Sequence, residues 1–174
     1  GERFGLHIDY SCEDQPLGTA GPLRLIDDLP ESFLVMNGDL LTDLDYQDLY
    51  RTHRRNGAIA TVGTCKRHVR LALGVIAYDE NLQITGFQEK PEFDYDVSMG
   101  VYIFEPRILD YIPRGQPFGF DHLIHRLLEA GERVSVYPFD GHWIDMGTPD
   151  ELNLAIEEFE AHRDRYLPHD SPHS

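Results

Sequence analysis

The feature that most constrains the fold is an order of strand, helix and strand early in the chain. Residues 33–36 form a short apolar run, Phe-Leu-Val-Met, of the kind found in a buried strand. Asp45 can cap a helix over residues 46–55, and Gly57 follows that helix as an expected stop. Residues 58–64 are again rich in β-forming side chains. A buried strand followed by a helix and a second strand predicts an α/β fold.

The same alternation continues along the rest of the chain. Residues 74–78 and 84–88 form two β-type runs around a polar turn, which predicts a hairpin. Further strands are expected at residues 97–104 and 134–137, and helices at residues 106–111, 121–130 and 149–162. We predict one α/β domain over residues 1–166, with a mostly parallel sheet and helices on both faces, and a disordered tail over residues 167–174.

The charge of the chain limits its partners. Its 174 residues include 31 acidic and 15 basic side chains, for a formal net charge of −16. Because binding to a nucleic-acid backbone needs basic patches, a nucleic-acid partner is not expected. An anionic substrate would need a divalent cation or a few well-placed basic residues within this negative field.

The sequence also bears on the compartment. No stretch is apolar for the length of a membrane span, and the first five residues lack the pattern of a signal peptide. Cys12 and Cys65 are the only cysteines and have no close spacing, which favours two reduced thiols over a disulfide or a zinc site. We therefore expect a cytoplasmic protein without a membrane partner.

Asn37, Gly38 and Asp39 directly follow the first predicted strand. Ligand sites of α/β sheets lie at the carboxyl ends of the strands. A carboxylate there, with Gly38 beside it to let a ligand approach the backbone, suits a hard divalent ion such as Mg²⁺. The same residue types are also common in tight turns, so two interpretations of this segment stay open: a metal ligand and a polar turn.

A second aspartate, Asp145, lies just before the predicted C-terminal helix, which begins at Thr148 and Pro149. The N–H groups of a helix start favour anions, so a carboxylate there can simply stabilise the helix. Alternatively, Asp39 and Asp145 could hold one metal ion on a phosphate, which would let a strongly acidic protein bind a polyanion.

Two further stretches have the composition of ligand-binding sites. Lys90, between Glu89 and Pro91, can place one positive charge against a phosphate while Glu89 accepts sugar hydroxyls. The alternative is an exposed ion pair. Residues 16–22, Pro-Leu-Gly-Thr-Ala-Gly-Pro, can lie flat against a planar or phosphate group, or can be a plain tight loop.

Two other patterns are set aside. His122 and His125 lie one turn apart on a predicted helix, but no third metal ligand is evident, which favours a solvated or packed pair. Asp43 and Asp45 imitate the Asp-x-Asp of metal-dependent glycosyltransferases, although Asp45 has a competing role as helix cap. No spacing suggests a Ser-His-Asp arrangement, so nucleophilic catalysis is not predicted.

Five stretches in this order resemble the sugar-phosphate nucleotidyltransferases, also called nucleotide-sugar pyrophosphorylases. They are Pro-Leu-Gly-Thr-Ala-Gly-Pro at 16–22, Leu-Val-Met-Asn-Gly-Asp at 34–39, Gln-Glu-Lys-Pro at 88–91, Ser-Met-Gly-Val-Tyr-Ile-Phe at 98–104 and Trp-Ile-Asp-Met-Gly-Thr-Pro at 143–149. The first two look most like those of mannose-1-phosphate guanylyltransferases and related heptose or glucose enzymes, which implies a product of the GDP-mannose type or of the dTDP- or UDP-glucose type. The resemblance implies a Rossmann-like fold of the nucleotide-diphospho-sugar transferase type.

The resemblance also implies an activity and a set of site residues. The family joins a sugar 1-phosphate to a nucleoside triphosphate and releases pyrophosphate, with Mg²⁺ as cofactor. Asp39 and Asp145 would hold Mg²⁺, and Lys90 would contact the sugar phosphate. The substrate-binding positions would be Gly18 and Thr19 near the nucleobase, Glu89 on the sugar hydroxyls, Gly74 and Gly100 lining the sugar pocket, and Asn37.

One element of the family pattern does not occur in this sequence. The family begins with a strand that leads into a glycine-rich loop, Gly-Gly-x-Gly-Thr-Arg-Leu, which wraps the triphosphate. We therefore expect an N-terminally incomplete domain with apolar surface to cover, for which a homo-oligomer is one solution. Two other functions stay open: a non-catalytic sugar-nucleotide-binding or regulatory subunit, and a metal-dependent glycosyltransferase using Asp43 and Asp45.

Overall fold

The computed structural model of the chain describes residues 1, 2 and 5–167. The predicted disordered tail, residues 167–174, lies outside this part of the chain except for Leu167. No helix within the described residues is both long and apolar enough to cross a membrane. The two cysteines are free thiols, Cys12 exposed and Cys65 buried, and burial raises the pKa of Cys65.

Eight strands in the described residues form three sheets. They are β1 (Phe33–Met36), β2 (Leu40–Thr42), β3 (Ala60–Arg70), β4 (Val75–Tyr78), β5 (Ile84–Gln88), β6 (Glu92–Phe104), β7 (Val134–Phe139) and β8 (Trp143–Asp145). The largest sheet has the order β1-β6-β3-β7, while β2 pairs with β8 and β4 pairs with β5. The first strand and the hairpin are confirmed as predicted, β3 and β6 are longer than predicted, and β2 and β8 were not predicted.

Strand β1 lies at one edge of the largest sheet and runs antiparallel to β6, with Phe33 opposite Phe104. The predicted α/β class is confirmed. The prediction of a mostly parallel sheet did not include this antiparallel pair, because the apolar pattern of a strand is the same in both directions. Leu34 and Met36 are exposed on β1, so this edge strand carries apolar surface.

The described helices are α1 (Tyr46–Asn56), α2 (Phe120–Glu129), α3 (Pro149–Ala161) and α4 (Arg163–Tyr166), with 3₁₀ turns at Gly21–Leu25 and Pro106–Tyr111. The Asp45 carboxylate accepts hydrogen bonds from the N–H groups of Gln47 and Asp48 at 2.8 and 3.0 Å. Gly57 ends α1 in the left-handed conformation, with φ of 58°. The predicted cap and stop of this helix are confirmed.

The chain divides into two compact units. Of the described residues, unit 1 contains 1–2, 5–36, 45–62 and 101–137, and unit 2 contains 37–44, 63–100 and 138–167. Strands β3, β6 and β7 each pass from one unit into the other. The single domain over residues 1–166 stays a prediction.

Unit 1 holds an aromatic core centred on Phe104, which is fully buried. The centroid of its ring lies 5.5 Å from that of Tyr102, 5.9 Å from that of Phe120 and 6.1 Å from that of Phe33. These separations are in the range of favourable aromatic pairs. The rings come from β1, β6 and α2, so this cluster joins the edge of the sheet to a helix.

The same unit contains a row of three polar side chains linked by hydrogen bonds. His53 on α1 is 1% exposed, and its Nδ1 lies 2.8 Å from Thr61 Oγ1, which lies 2.8 Å from Ser135 Oγ. Burial lowers the pKa of His53 below its ordinary value of 6.5, against the opposing charge of Glu105 and with a smaller contribution from Arg54. The imidazole is therefore neutral at pH 7 and hydrogen-bonded.

We expect His53 to make the fold less stable in acid. Its pKa is lower in the folded than in the unfolded chain, so its contribution to stability is present above pH 6.5 and is lost as the pH falls below that value. Replacing it, as in His53→Gln, should make the unfolding free energy less dependent on pH between about pH 7 and about pH 5, by at most about 1.4 kcal/mol per pH unit. Urea unfolding at several pH values measures this difference, and equal slopes for the two proteins would contradict it.

Candidate active site

Two neighbouring segments of unit 2 carry the predicted metal-binding aspartates. Strand β2 pairs antiparallel with β8, and Leu40 lies opposite Asp145. The pairing continues beyond Leu40, because the N–H of Met146 donates to the carbonyl of Asp39 at 2.8 Å. Asp39, just before β2, and Asp145, the last residue of β8, therefore lie on adjacent backbones.

Asp145 leads directly into helix α3. Its Oδ1 accepts a hydrogen bond from the N–H of Gly147 at 2.9 Å. Thr148 then caps the helix: its Oγ1 accepts from the N–H of Glu151 at 3.3 Å and donates to the Glu151 carboxylate at 2.9 Å. Thr148 is thus the N-cap of α3, and the Glu151 carboxylate accepts from the Thr148 hydroxyl rather than from its backbone N–H, as it would in a full capping box. The Asp145 carboxylate is thus held by the turn that precedes a helix start.

Two consecutive carbonyls of β6 anchor the segments that carry the aspartates. The N–H of Asn37 donates to the carbonyl of Gly100 at 2.9 Å, and the indole N–H of Trp143 donates to the carbonyl of Met99 at 3.0 Å. Gly100 has φ of 71°, and a side chain on it would come within 2.6 Å of Asn37 Nδ2, so this contact requires glycine. Asn37 lies two residues before Asp39, and Trp143 lies two residues before Asp145.

The β4–β5 hairpin brings together three more of the predicted residues. Val75 pairs with Gln88, so Gly74 lies next to Glu89, and a side-chain carbon on Gly74 would be 3.2 Å from Glu89 Oε2. Lys90 Nζ lies 4.0 Å from Glu89 Oε1, and both side chains are exposed, so this pair adds little stability. Lys90 has φ of 45°, an uncommon backbone conformation for a residue other than glycine that is often found at functional sites.

Gly18 and Thr19 belong to unit 1. Gly18 has φ of 76°, and a side chain on it would come within 2.8 Å of the Phe118 carbonyl oxygen. Thr19 Oγ1 accepts a hydrogen bond from the N–H of Phe120, the first residue of α2, at 3.0 Å. The loop therefore packs against the start of α2, and its predicted contact with a nucleobase stays a prediction.

The structure gives Asp43 and Asp45 partners within the fold. Asp45 caps α1, and Asp43 Oδ1 accepts a hydrogen bond from the N–H of His142 at 2.8 Å. These roles do not favour the Asp-x-Asp metal site of a glycosyltransferase. His122, set aside as a metal ligand, packs its ring 5.6 Å from that of Phe118.

The chemistry of the donors at Asp39 and Asp145 fits Mg²⁺. Within the described part of the chain, no group of three or more His, Cys, Asp or Glu residues could hold a metal ion. Mg²⁺ does not need such a cage, because it retains several waters and is commonly held by one or two carboxylates together with substrate phosphates. Two aspartates on adjacent backbones supply that number of carboxylates.

Sequence reasoning did not assign the contacts of Trp143 and Asp43. Both depend on the pairing of β2 with β8, and strands of three residues are too short to show a periodic pattern. Trp143 is the only tryptophan of the chain and lies two residues before Asp145, which is the one signal in the sequence that could have identified it. The role of Asp43 could be seen only in the fold.

Comparison with known proteins identifies the family. The sequence model described as nucleotidyl transferase matches residues 1–162. The chain belongs to the nucleotidyl transferase family. This confirms the resemblance found in the five sequence stretches, since curated relatives of the chain carry names of sugar-phosphate nucleotidyltransferases.

Two curated relatives of this nucleotidyl transferase chain are 36% identical to it. One is UTP–glucose-1-phosphate uridylyltransferase of Synechocystis, and the match covers 90% of this chain and 45% of the relative. The other is the catalytic subunit beta of mannose-1-phosphate guanylyltransferase of Dictyostelium discoideum, and the match covers 87% of this chain and 44% of the relative. The chain thus spans about half the length of these relatives.

Solved structures share the fold. A crystal structure from Bacillus anthracis, in complex with a sucrose, matches with a TM-score of 0.64 and 19% identity over 90% of this chain and 67% of that one. HddC from Yersinia pseudotuberculosis matches with a TM-score of 0.59 and 21% identity over 84% of this chain and 64% of that one. The Rossmann-like nucleotide-diphospho-sugar transferase fold is confirmed.

Proposed function

We propose that this nucleotidyl transferase chain takes part in the transfer of a nucleotidyl group from a nucleoside triphosphate to a sugar 1-phosphate, with Mg²⁺ as cofactor, in the cytoplasm. The observation that carries the proposal is the pairing of β2 with β8, which puts Asp39 and Asp145 on adjacent backbones. The names of the curated relatives support a hexose 1-phosphate as acceptor and UTP or GTP as donor.

The reaction requires charge neutralisation rather than a protein base. A phosphate oxygen of the sugar 1-phosphate forms a bond to the α-phosphorus, and the bond from that phosphorus to pyrophosphate breaks. Because the attacking oxygen is already ionised, no side chain has to remove a proton. When bound, Mg²⁺ would neutralise phosphate charge that the chain, at −16, would otherwise repel.

Asp39 and Asp145 are the residues that would hold Mg²⁺, and their surroundings favour a fixed position. The carbonyl of Asp39 accepts a hydrogen bond from the N–H of Met146, and the Asp145 carboxylate accepts one from the N–H of Gly147. Neither carboxylate depends on a long flexible side chain. Such rigid placement is what positions reacting groups at low entropic cost.

Lys90 and Glu89 would bind the sugar 1-phosphate from the end of β5. The exposed ammonium of Lys90 can contact the phosphate as a point charge. Glu89 can accept hydrogen bonds from sugar hydroxyl groups, and Gly74 lies beside it, where a side-chain carbon would come within 2.7 Å of the Phe87 ring. Asn37 and Gly100, which are joined by a backbone hydrogen bond, would support the same sugar pocket.

A substrate panel tests the proposal. The protein would be incubated with Mg²⁺, each of GTP, UTP, dTTP and ATP, and mannose or glucose 1-phosphate, and pyrophosphate release would be measured. We expect release only when a nucleoside triphosphate and a sugar 1-phosphate are both present, with one pair clearly preferred. Tight binding of a nucleotide sugar without pyrophosphate release from any pair would instead identify a non-catalytic binding subunit.

A further inference from the structure

Strands β2 and β8 form a short two-stranded pair whose ends must be fixed if the two aspartates are to stay in register. Each strand has only three residues, and an isolated pair of strands is at best marginally stable in water. One end of the pair is closed by the hydrogen bond from Met146 to the Asp39 carbonyl, at 2.8 Å. The other end is closed at Asp43.

Asp43 closes that end with two hydrogen bonds to one residue. Its N–H donates to the carbonyl of His142 at 3.2 Å, and its Oδ1 accepts from the N–H of His142 at 2.8 Å. The second bond uses the side chain where a regular strand pair would use a backbone carbonyl. The Asp43 carboxylate therefore extends the β2–β8 pairing by one residue beyond Thr42.

A carboxylate cluster ties the same end to the C-terminal helices. Arg165 on α4 has its Nε 3.9 Å from Asp43 Oδ2 and its Nη1 2.8 Å from Glu158 Oε1 on α3. His142 Nδ1 lies 3.7 Å from the same Glu158 oxygen. Partial burial opposes ionisation of Glu158, but the hydrogen bond from Tyr166 and the nearby positive charges outweigh it and lower its pKa. The cluster is thus charged and linked by several contacts.

We propose that Asp43 is a positioning residue for Asp39 and Asp145: its carboxylate fixes the end of the β2–β8 pair and so keeps the two metal-binding aspartates in register. The inference rests on the proposed function, because it takes these aspartates as ligands of Mg²⁺. Mg²⁺ requires a coordination geometry close to an ideal octahedron, so a small slip between the strands is sufficient to weaken binding. Asp43 itself does not touch the metal ion in this account.

The test measures Mn²⁺ binding, as a substitute for Mg²⁺, by electron paramagnetic resonance on the full chain. Asp43→Ala should weaken Mn²⁺ binding by about tenfold, which is typical for loss of a group that orients metal ligands. Asp43→Asn should stay within about twofold of the unmodified chain, because the amide oxygen can still accept from His142 and the lost contact with Arg165 is long. Rescue by asparagine would not be expected of a metal ligand.

Asp45→Ala is the matched control. It also removes an aspartate and lowers stability through loss of the α1 cap, but it does not touch the β2–β8 pair, so Mn²⁺ affinity should not change. Mn²⁺ binding by Asp43→Ala equal to that of the unmodified chain, with binding lost in Asp39→Asn, would overturn this inference and leave the proposed function intact. Unchanged binding in Asp39→Asn would overturn both.

Amide hydrogen exchange tests the proposal on the unmodified chain and does not depend on the folding of a variant. Amide hydrogen exchange should show the N–H groups of His142 and Met146 protected by at least about tenfold, because both are bonded across the β2–β8 pair. Exchange of the His142 amide at the rate of an unstructured peptide would overturn the role of Asp43.

Discussion

Asp39→Asn is expected to lower the rate of nucleotide-sugar formation by more than about 100-fold, because loss of a metal ligand should cost at least as much as loss of a group that only orients one. The substitution keeps the size and shape of the side chain and removes its charge. Asp39 is exposed and its carbonyl, not its side chain, makes the bond to Met146, so stability should change little. Pyrophosphate release under saturating substrate and Mg²⁺ measures the effect.

Asp140→Asn is the control for this prediction. It makes the same chemical change on an exposed aspartate five residues before Asp145 and outside strand β8. We expect it to retain nearly all of the rate. Asp145→Asn should behave like Asp39→Asn, and near-normal turnover in either of these two variants would remove the metal role from that aspartate.

Phe104→Ala is expected to lower the free energy of unfolding by about 3–5 kcal/mol. Phe104 is fully buried and its ring contacts those of Tyr102, Phe120 and Phe33, so its removal leaves a cavity that rings fixed on different elements cannot easily fill. A loss of that size is a large part of the stability of a typical domain, about 5–15 kcal/mol. Denaturant unfolding followed by circular dichroism would measure it.

Phe87→Ala gives the matched comparison for the core prediction. The Phe87 side chain is 64% exposed on the β4–β5 hairpin, so the same deletion there should change stability by no more than about 0.5 kcal/mol. Equal losses for the two substitutions would show that Phe104 is not at the centre of the core.

The sequence was sufficient to predict the elements with strong local signals. Helix α1 has an aspartate cap and a glycine stop, and both act in the structure as the residue types predict. The same holds for α3, which begins with Thr148 as N-cap and Pro149 in its first turn. The polar turn between residues 78 and 84 likewise predicted the β4–β5 hairpin.

Strands β3 and β6 were predicted too short because their outer parts are charged rather than apolar. Beyond the core, every second residue of β3 is basic and every second residue of β6 is acidic. Ion pairs join them across the sheet, with Lys66 Nζ 3.4 Å from Asp96, Arg70 Nε 3.7 Å from Glu92, and His68 paired with Asp94. Such cross-strand ion pairs can stabilise a strand that has no buried face, but a strand of this kind has no apolar pattern by which the sequence would reveal it.

The arrangement of the candidate site could be predicted only in part. The residue types at Asp39, Lys90 and Asp145 indicated phosphate and metal chemistry before any fold was known. The pairing of Leu40 with Asp145 could not be predicted, because it joins segments about a hundred residues apart through strands of three residues. The hydrogen bonds of Asp43 with His142 depend on that pairing, so the sequence alone could not indicate them.

Transfer of labelled phosphate is the most direct test of the account. The protein would receive a nucleoside triphosphate carrying ³²P at the α-phosphate, a hexose 1-phosphate and Mg²⁺, with and without excess EDTA. We predict that the label appears in a nucleotide sugar, that this requires the hexose 1-phosphate, and that EDTA abolishes it. Label transfer that persists in EDTA, or label released only as free nucleotide whether or not the sugar is present, would contradict metal-assisted nucleotidyl transfer.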